Sequence, residues 1–150
     1  MKIAIILGTR PEIIKMGPII RYCIKKEIPF FILHSGQHYS YEMDKVFFEN
    51  LHLPDPAYNL KAGSNEYRKQ IGYMVPQIIK ILQIENPDFT LVQGDTNTVL
   101  AGAIAANKLG LKLVHIEAGL RSHELAMIEE INRIITDHLS DVLYPPTDTA

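Results

Sequence analysis

The amino-acid sequence predicts an α/β fold, a doubly wound and mostly parallel sheet with helices on both faces. Short continuous apolar runs alternate along the chain with longer stretches of helical periodicity, which is typical of strands buried on both faces and their crossover helices. Four of these runs end in short loops rich in polar side chains. Ligands bind outside the carboxyl ends of the strands in such sheets, so we expect the functional residues along one sheet edge.

The N-terminal half contains the first strands and helices. Residues 3–7 form an unbroken apolar run and, with Lys2 before them, predict strand 1 over 2–7. A helix is predicted to follow at Pro11, because proline fits the first helical position and Glu12 suits the positive end of the helix dipole. Pro18 lies inside that helix and should kink or divide it. The next predictions are a strand at about 30–34, a helix over 41–51 and a short edge strand at 58–60.

The C-terminal half continues the same alternation. The longest helix is predicted from residue 65 to about 85, with Pro76 interrupting it. The remaining predicted elements are a strand over 88–92, a helix over 96–108, a strand over 111–116, a helix over 129–139 and a strand over 142–144. This order favours right-handed crossovers within one sheet, and 150 residues suit a single domain.

Composition excludes several classes of partner. Apolar residues make up 47% and charged residues 21% of the chain, a globular balance. The net charge is −2 and the 15 basic residues are spread along the chain, so neither nucleic acid nor an anionic membrane is expected as a partner. The only cysteine, Cys23, allows no internal disulfide. No apolar run reaches the ~18 residues of a membrane span, and no signal peptide precedes strand 1, so we expect a cytoplasmic protein.

The first loop, from Gly8 to Lys15, joins strand 1 to helix 1. A glycine turn before a helix N-terminus can bind an anion, with Arg10 and Lys15 nearby. The alternative is a simple strand–helix turn with a surface ion pair. The sequence lacks the glycine patterns of dinucleotide-binding and P-loop proteins.

The loops after strand 4 (88–92) and strand 5 (111–116) carry carboxylates. Taken alone, Gly94-Asp95-Thr96 favours Asp95 as the cap of the next helix, but Thr96 or Thr98 could cap equally well, which would leave Asp95 for chemistry. Alternation places His115 and Glu117 on the same side of strand 5. Burial of a charged Glu117 there costs free energy, so the residue should be either functional or paired. If its role is only structural, Arg121 is the expected partner of an ion pair. One His and one Glu are too few ligands for a metal site.

The last predicted helix opens with two acidic residues. Glu129 and Arg133 are spaced as an i,i+4 ion pair on one face, although acidic residues in a first turn are also ordinary helix-dipole chemistry. The histidines show no metal-ligand spacing, but His38 lies in a loop at a strand end, where it could bind a ligand.

Together these motifs resemble the non-hydrolysing UDP-N-acetylglucosamine 2-epimerases. The matching stretches occur in family order across nearly the whole chain: GTRPEIIKMGPI, SGQHY, VQGDTNTVLAGAIAA, HIEAGLRS and EEINRIITDHLSDVLYPPTDTA. The resemblance implies a Rossmann-like domain, the slightly incomplete N-terminal half of a two-domain architecture similar to that of glycosyltransferase-B enzymes. The C-terminal domain, which supplies most UDP contacts in the family, is absent from the sequence. We therefore expect the isolated chain to be inactive or nearly so.

The resemblance also implies a reaction, the conversion of UDP-GlcNAc to UDP-ManNAc in polysaccharide biosynthesis. No metal or dinucleotide cofactor is expected, and the full-length enzyme should be a homodimer that binds UDP-GlcNAc and UDP. The residues that match the family's catalytic carboxylates are Asp95, Glu117 and Glu129, and those that match its substrate-binding groups are Arg10, Lys15, Gln37, His38 and Arg133.

Two positions depart from the family pattern. Ile128 stands where the family usually has a proline before its paired acids. In bacterial members a regulatory UDP-GlcNAc contacts glutamines near the Gln-His motif, and Gln37 matches one of them, whereas Ser40 stands where a second would lie. Two alternative functions remain: a fragment of a hydrolysing epimerase, which releases ManNAc and UDP, and a nucleotide-sugar-binding or regulatory module without catalysis.

Overall fold

The computed structural model describes residues 1–37, 41–63 and 66–150, with the backbone alone at 41–43. All strand pairings are parallel, and the strand order is β3-β2-β1-β4-β5-β6. The doubly wound parallel fold predicted from the sequence is confirmed. In chain order the elements are β1 (Ile3–Leu7), α1 (Arg10–Lys25), β2 (Phe30–His34), α2 (Tyr41–Asn50), β3 (Tyr58–Asn59), α3 (Tyr67–Glu85), β4 (Phe89–Gln93), α4 (Asn97–Lys108), β5 (Lys112–Ile116), α5 (Ile128–Leu139) and β6 (Val142–Tyr144).

The strand order reverses at β1, which lies between β2 and β4. Ile3 is in register with Phe30 on one side and with Phe89 on the other. The chain leaves β1 toward β2 and later returns to its other side as β4. The loops that follow β1 and β4 therefore adjoin at the carboxyl edge, which is the topological switch point where such sheets bind ligands.

Both faces of the central strands are buried, which accounts for their unbroken apolar sequences. Alternate residues of β1 face different layers: Ala4 and Ile6 pack with the α3 and α4 layer, whereas Ile5 and Leu7 pack with the α1 and α2 layer. Helix α4 approaches the sheet closely at Gly102, where a Cβ atom would lie only 3.1 Å from Val92 Cγ1 and 3.2 Å from Ile6 Cδ1.

The two helices that contain proline differ from the prediction. Helix α1 runs through Pro18 and α3 runs through Pro76, each as one continuous element, so the predicted division or interruption is wrong. Proline removes one intrahelical hydrogen bond, but tertiary packing supplies most of a helix's stability. Buried side chains on both sides of each proline hold the two halves against the sheet: Met16 and Ile20 in α1, Met74 and Ile78 in α3.

Helix α5 turns its polar side inward. Its buried residues are Glu130, Asn132, Thr136 and Asp137, while Ile128, Ile131 and Ile135 are exposed by 42%, 38% and 38%. The buried polar groups meet the loops at the carboxyl ends of β4 and β5. Helix α5 therefore belongs to the polar edge of the domain, and its apolar stripe faces outward.

Across the described parts of the chain, no helix is long and apolar enough to cross a membrane. The longest, α3, has 19 residues and carries exposed charges at Arg68, Lys69 and Lys80.

Candidate active site

Two neighbouring cavities at the carboxyl edge of the sheet contain most of the predicted site residues. The central cavity, of about 170 Å³, opens between the ends of β1, β4 and β5 and is flanked by α1 and α5. A second cavity, of about 350 Å³, shares Asp95 and Thr96 with it. Residues that line the central cavity include Thr9, Glu12, Lys15, Gln93, Asp95, Thr96, Glu117 and Arg133, and the second adds Gln37, Tyr67, Asn97, Ile128, Glu129 and Asn132.

Asp95 faces the cavities and does not cap α4. The N-cap is Thr96, whose backbone is extended and whose Oγ1 accepts a hydrogen bond from the Val99 N–H at 3.3 Å. The Asp95 carboxylate instead pairs with the Arg133 guanidinium. Since Arg133 is only 11% exposed, this ion pair lies in a partly desolvated site. Of the two interpretations open from the sequence, the structure therefore shows the one in which Asp95 is not the cap.

Glu117 pairs with a cation from the other end of the chain. Lys15 Nζ lies 2.9 Å from Glu117 Oε1 and 2.6 Å from Oε2, and the Gln93 amide also donates to the carboxylate. The predicted alternative partner, Arg121, binds Asp137 at 2.7 Å, so that prediction is wrong. Glu117 and Lys15 therefore bring β5 and α1 together across the central cavity.

The prediction that His115 and Glu117 share one side of β5 is also wrong. Strand β5 ends at Ile116, and Glu117 has a φ of +66°, in the left-handed region that L-residues rarely adopt. Alternation therefore stops before Glu117. His115 bonds to Asp137 of α5, whereas Glu117 turns toward α1.

Arg133 binds two carboxylates, neither of which is the predicted one. Its guanidinium pairs with Glu130 and Asp95, so the predicted i,i+4 pair with Glu129 is wrong. Glu130 is fixed by backbone N–H donors from Ser122 and His123, which hold the pKa of its carboxyl below the usual range. Glu129 is exposed and lines the second cavity.

Glu12 is a buried carboxylate of the central cavity, and its position in the sequence predicts only a helix-dipole role. It accepts hydrogen bonds from the Gly8 and Thr9 N–H groups and from the Thr96 hydroxyl, each at 2.7 Å. Burial raises the pKa of Glu12, and these hydrogen bonds oppose that rise. The spacing Thr9-x-x-Glu12 is that of a capping box, a signal that could have predicted this arrangement.

The predicted anion site at the N-terminus of α1 stays a prediction. The Gly8 and Thr9 amides of the turn before the helix both donate to Glu12. Gly8 is required for another reason, since a Cβ atom there would lie 2.0 Å from Ser35 Oγ and 2.4 Å from Thr98 Oγ1.

Arg10 lies against α2. Its Nε is 3.6 Å from Asp44 Oδ1 and its guanidinium lies over the Phe47 ring, 5.7 Å from the ring centroid. It is not among the residues that line the two cavities described above. The structure therefore brings Lys15 and Arg133 together with the carboxylates, but it places Arg10 to one side.

Gln37 lies in a network of amides and hydroxyls beside the second cavity. Its Oε1 accepts hydrogen bonds from the Thr98 N–H at 3.1 Å and hydroxyl at 2.6 Å. His38 lies outside the described residues. No local sequence motif marks the rest of the network, since its amides lie singly on separate helices. Its members include Gln70, which receives a hydrogen bond from Asn97, and Asn132, which receives one from Tyr67 and donates to the Asp95 carbonyl.

Two clusters of identical composition flank these cavities. The β2 cluster consists of Arg10, His34 and Asp44. His34 is fully buried, its Nδ1 accepts from the Gly36 N–H at 3.1 Å, and its Nε2 is 3.4 Å from Asp44 Oδ2. Burial lowers the pKa of His34 to about 4.

The β5 cluster consists of His115, Arg121 and Asp137. His115 is also fully buried, with Nδ1 2.6 Å from Asp137 Oδ1 and Nε2 2.7 Å from the Gly94 carbonyl oxygen. Asp137 Oδ2 receives the Gly119 N–H at 3.1 Å and the Arg121 guanidinium at 2.7 Å. This cluster is attached to both loops that carry cavity carboxylates.

Among the described residues, no group of three or more His, Cys, Asp or Glu side chains is arranged to hold a metal ion. The expectation of a metal-free and cofactor-free site stays a prediction.

Comparison with known proteins identifies the family. The family model described as UDP-N-acetylglucosamine 2-epimerase matches residues 23–150. The chain belongs to this family. It is 60% identical over 149 residues to a UDP-N-acetylglucosamine 2-epimerase of Methanococcus maripaludis and 57% identical over 150 residues to one of Methanocaldococcus jannaschii. The chain spans 40% and 41% of the lengths of these two epimerases.

Solved structures confirm the fold. A crystal structure of the Methanocaldococcus jannaschii epimerase in complex with UDP-GlcNAc and UDP superposes with a TM-score of 0.96 at 56% identity, covering 99% of this chain and 41% of that one. A Streptomyces glycosyltransferase at 14% identity gives a TM-score of 0.53 over 77% of the chain, which shows likeness of fold alone. The predicted Rossmann-like half of a glycosyltransferase-B-like architecture is thereby confirmed.

Proposed function

We propose that this chain forms one wall of the active site of a UDP-GlcNAc 2-epimerase, an isomerase that produces UDP-ManNAc. The observation that supports this most directly is the meeting of two carboxylate–cation pairs, Asp95 with Arg133 and Glu117 with Lys15, in one cavity at the switch point of the sheet. Carboxylates supply proton transfer, and cations supply binding of a diphosphate.

The reaction needs both kinds of group. The hydrogen on sugar carbon 2 is too weakly acidic for direct removal by a carboxylate with an ordinary pKa of about 4. When UDP leaves, the C1–O bond breaks and its electron pair goes to the diphosphate, while a carboxylate takes the C2 proton and a C1=C2 double bond forms. A proton then returns to the opposite face of carbon 2 as the UDP oxygen adds again to carbon 1.

The cavity residues suit these steps. Asp95, Glu117 and Glu129 are the proposed proton-transfer groups, and Lys15 and Arg133 the proposed partners of the leaving diphosphate. A diphosphate that binds Lys15 and Arg133 would replace Glu117 and Asp95 as their counter-ions, and the two carboxylates would then be available for proton transfer.

Three further predicted roles remain predictions. Arg10 and Gln37 are proposed to bind substrate from the β2 side. His38, which lies outside the described residues, is also proposed to bind substrate. We also propose that residues 1–150 act as the N-terminal domain of a two-domain enzyme, because the relatives that the chain matches are about 2.5 times as long. The cytoplasmic location, the homodimer and the role in polysaccharide biosynthesis belong to the same proposal.

The decisive experiment joins this chain to the C-terminal remainder of the Methanococcus maripaludis relative and measures UDP-GlcNAc conversion by chromatography. The chimera should be active and the 150-residue chain alone nearly inactive. Asp95→Asn and Glu117→Gln should each lower kcat by about 10²–10⁴-fold, the usual contribution of a proton-transfer group. Near-normal turnover in either variant would remove that residue from the mechanism.

Matched controls use the same replacements at exposed sites, Asp55→Asn and Glu49→Gln, which should leave turnover unchanged. The products also separate the alternatives. Free ManNAc with UDP would indicate the hydrolysing reaction. Binding of UDP-GlcNAc in calorimetry without turnover by the chimera would indicate a binding or regulatory module.

A further inference from the structure

His115 is buried behind the loops of Asp95 and Glu117, and the proposed reaction assigns it no role. Both of its ring nitrogens face acceptors, Asp137 Oδ1 at 2.6 Å and the Gly94 carbonyl oxygen at 2.7 Å. A carbonyl oxygen has no proton to donate. Asp137 Oδ2 also receives the Gly119 N–H and forms an ion pair with Arg121, which is the environment of an ionised carboxylate. Only a ring with a proton on each nitrogen satisfies both acceptors.

We propose that His115 is a positioning residue, an imidazolium that holds the Asp95 and Glu117 loops in one fixed arrangement. Gly94, which receives its Nε2 proton, directly precedes Asp95. Asp137, which receives its Nδ1 proton, also binds the N–H of Gly119, two residues beyond Glu117. The proposal depends on the proposed function only for the roles of Asp95 and Glu117.

The fixed arrangement has a physical reason. Gly94 and Gly119 have φ values of +85° and +82°. The two loops therefore turn at positions where any residue other than glycine would have a strained backbone. Loops of this kind need a rigid anchor if their carboxylates are to keep one geometry. The His115–Asp137 pair supplies it from α5, the helix that also carries Arg133.

Charge also favours the imidazolium, because the Asp137 carboxylate lies 2.6 Å from its Nδ1. In the β5 cluster this one carboxylate faces two cations, His115 and Arg121. A neutral ring would direct a lone pair at one of two acceptors in a buried site, where water cannot compensate. The excess positive charge lies behind the loops that carry the carboxylates Asp95 and Glu117.

The first test is nitrogen NMR of the unmodified 150-residue chain at neutral pH, which records the protonation of each histidine ring. His115 should show protons on both ring nitrogens. His34 is the internal control, because its Nδ1 accepts from Gly36 and should therefore be unprotonated. An unprotonated ring nitrogen in His115 would overturn the proposal, whatever the outcome of the activity assays.

The second test replaces His115 with Gln, whose single amide nitrogen cannot donate to two separated acceptors. The carboxyl carbon NMR signals of Asp95 and Glu117 should move, while amide signals of β2 and β3 stay in place. In the chimera kcat should fall about 100-fold with little change in KM, as expected from misplaced reacting groups.

The matched control is His138→Gln, which makes the same replacement at an exposed position of α5, next to Asp137, and should change neither readout. Unmoved Asp95 and Glu117 signals in a folded His115→Gln chain would overturn the positioning role. If that variant does not fold, the ring protonation measured on the unmodified chain still decides the proposal. If the chimera is inactive, the proposed function fails but the NMR result stands.

Discussion

The β2 and β5 clusters contain the same three residue types, Arg, His and Asp. They differ in the groups that contact the histidine ring and in the charge of that ring. In the β2 cluster His34 accepts a backbone N–H on one nitrogen and lies 3.4 Å from Asp44 with the other. In the β5 cluster His115 faces acceptors on both nitrogens at 2.6 and 2.7 Å. Both rings are fully buried. The partners on each nitrogen therefore determine the charge of a buried histidine, and burial alone does not.

The clusters also differ in what they support. The β2 cluster directs Arg10 toward α2 and Phe47. The β5 cluster binds the loops after β4 and β5, next to the cavity that holds Asp95 and Glu117. The difference predicts that one cluster tolerates loss of its carboxylate and the other does not.

The largest expected effect is therefore on folding stability. Asp137→Asn removes the counter-ion of a buried imidazolium and should lower the free energy of unfolding by about 3–5 kcal/mol. Asp44→Asn, beside a neutral His34 and a partly exposed Arg10, should cost about 1 kcal/mol. Urea denaturation of both variants at pH 7.5 measures the difference, and equal losses would contradict the contrast drawn between the clusters.

The second prediction concerns pH. Because the pKa of folded His34 is lowered to about 4, the unfolded chain takes up a proton below about pH 6.5 that the folded chain does not. The free energy of unfolding should therefore fall by about 3 kcal/mol as the pH decreases from 6.5 to 4. His34→Asn retains an acceptor for the Gly36 N–H but does not titrate, so this loss of stability should be present in the wild-type chain and absent from the variant. If the two chains instead show parallel pH profiles, the pKa of His34 is not lowered in the folded chain.

The smallest effect is expected at the arginines. Arg121 binds a buried carboxylate at 2.7 Å, whereas Arg10 is 42% exposed and 3.6 Å from its partner. Partly exposed ion pairs contribute little, so Arg121→Gln should cost about 1 kcal/mol and Arg10→Gln less than about 0.5 kcal/mol. Thermal denaturation detects both changes. A larger loss of stability for Arg10→Gln than for Arg121→Gln would contradict the prediction that the arginine of the β5 cluster contributes more.

The sequence predicted the sheet well because continuous apolar strands and helical periodicity are local signals. It also predicted that polar residues gather at the carboxyl edge, since parallel topology alone brings them there. The ion pairs were harder to predict from the sequence. The sequence predicts its neighbour Arg121 as the partner of Glu117 in the structural alternative, but the partner is Lys15, 102 residues away. A positive φ at Glu117 also breaks the alternation on which the placement beside His115 depends.

Other parts of the site depend on three-dimensional contacts that no local pattern encodes. Asp137 showed no motif, because its function as the anchor of Gly119 and His115 arises only once α5 packs against the loop edge. Glu12 was an exception, since its capping-box spacing was visible in the sequence.

The inverted orientation of α5 has a consequence for how this chain accepts mutations. Over most of a globular domain, apolar positions are intolerant of polar substitution and polar positions are permissive. On α5 a saturation mutagenesis map of folding would show the opposite pattern: Ile131 and Ile135 would accept Lys or Glu at little cost, whereas Glu130 and Asn132 would reject even alanine. For this helix, the side chains that make the fold unique are the hydrophilic ones.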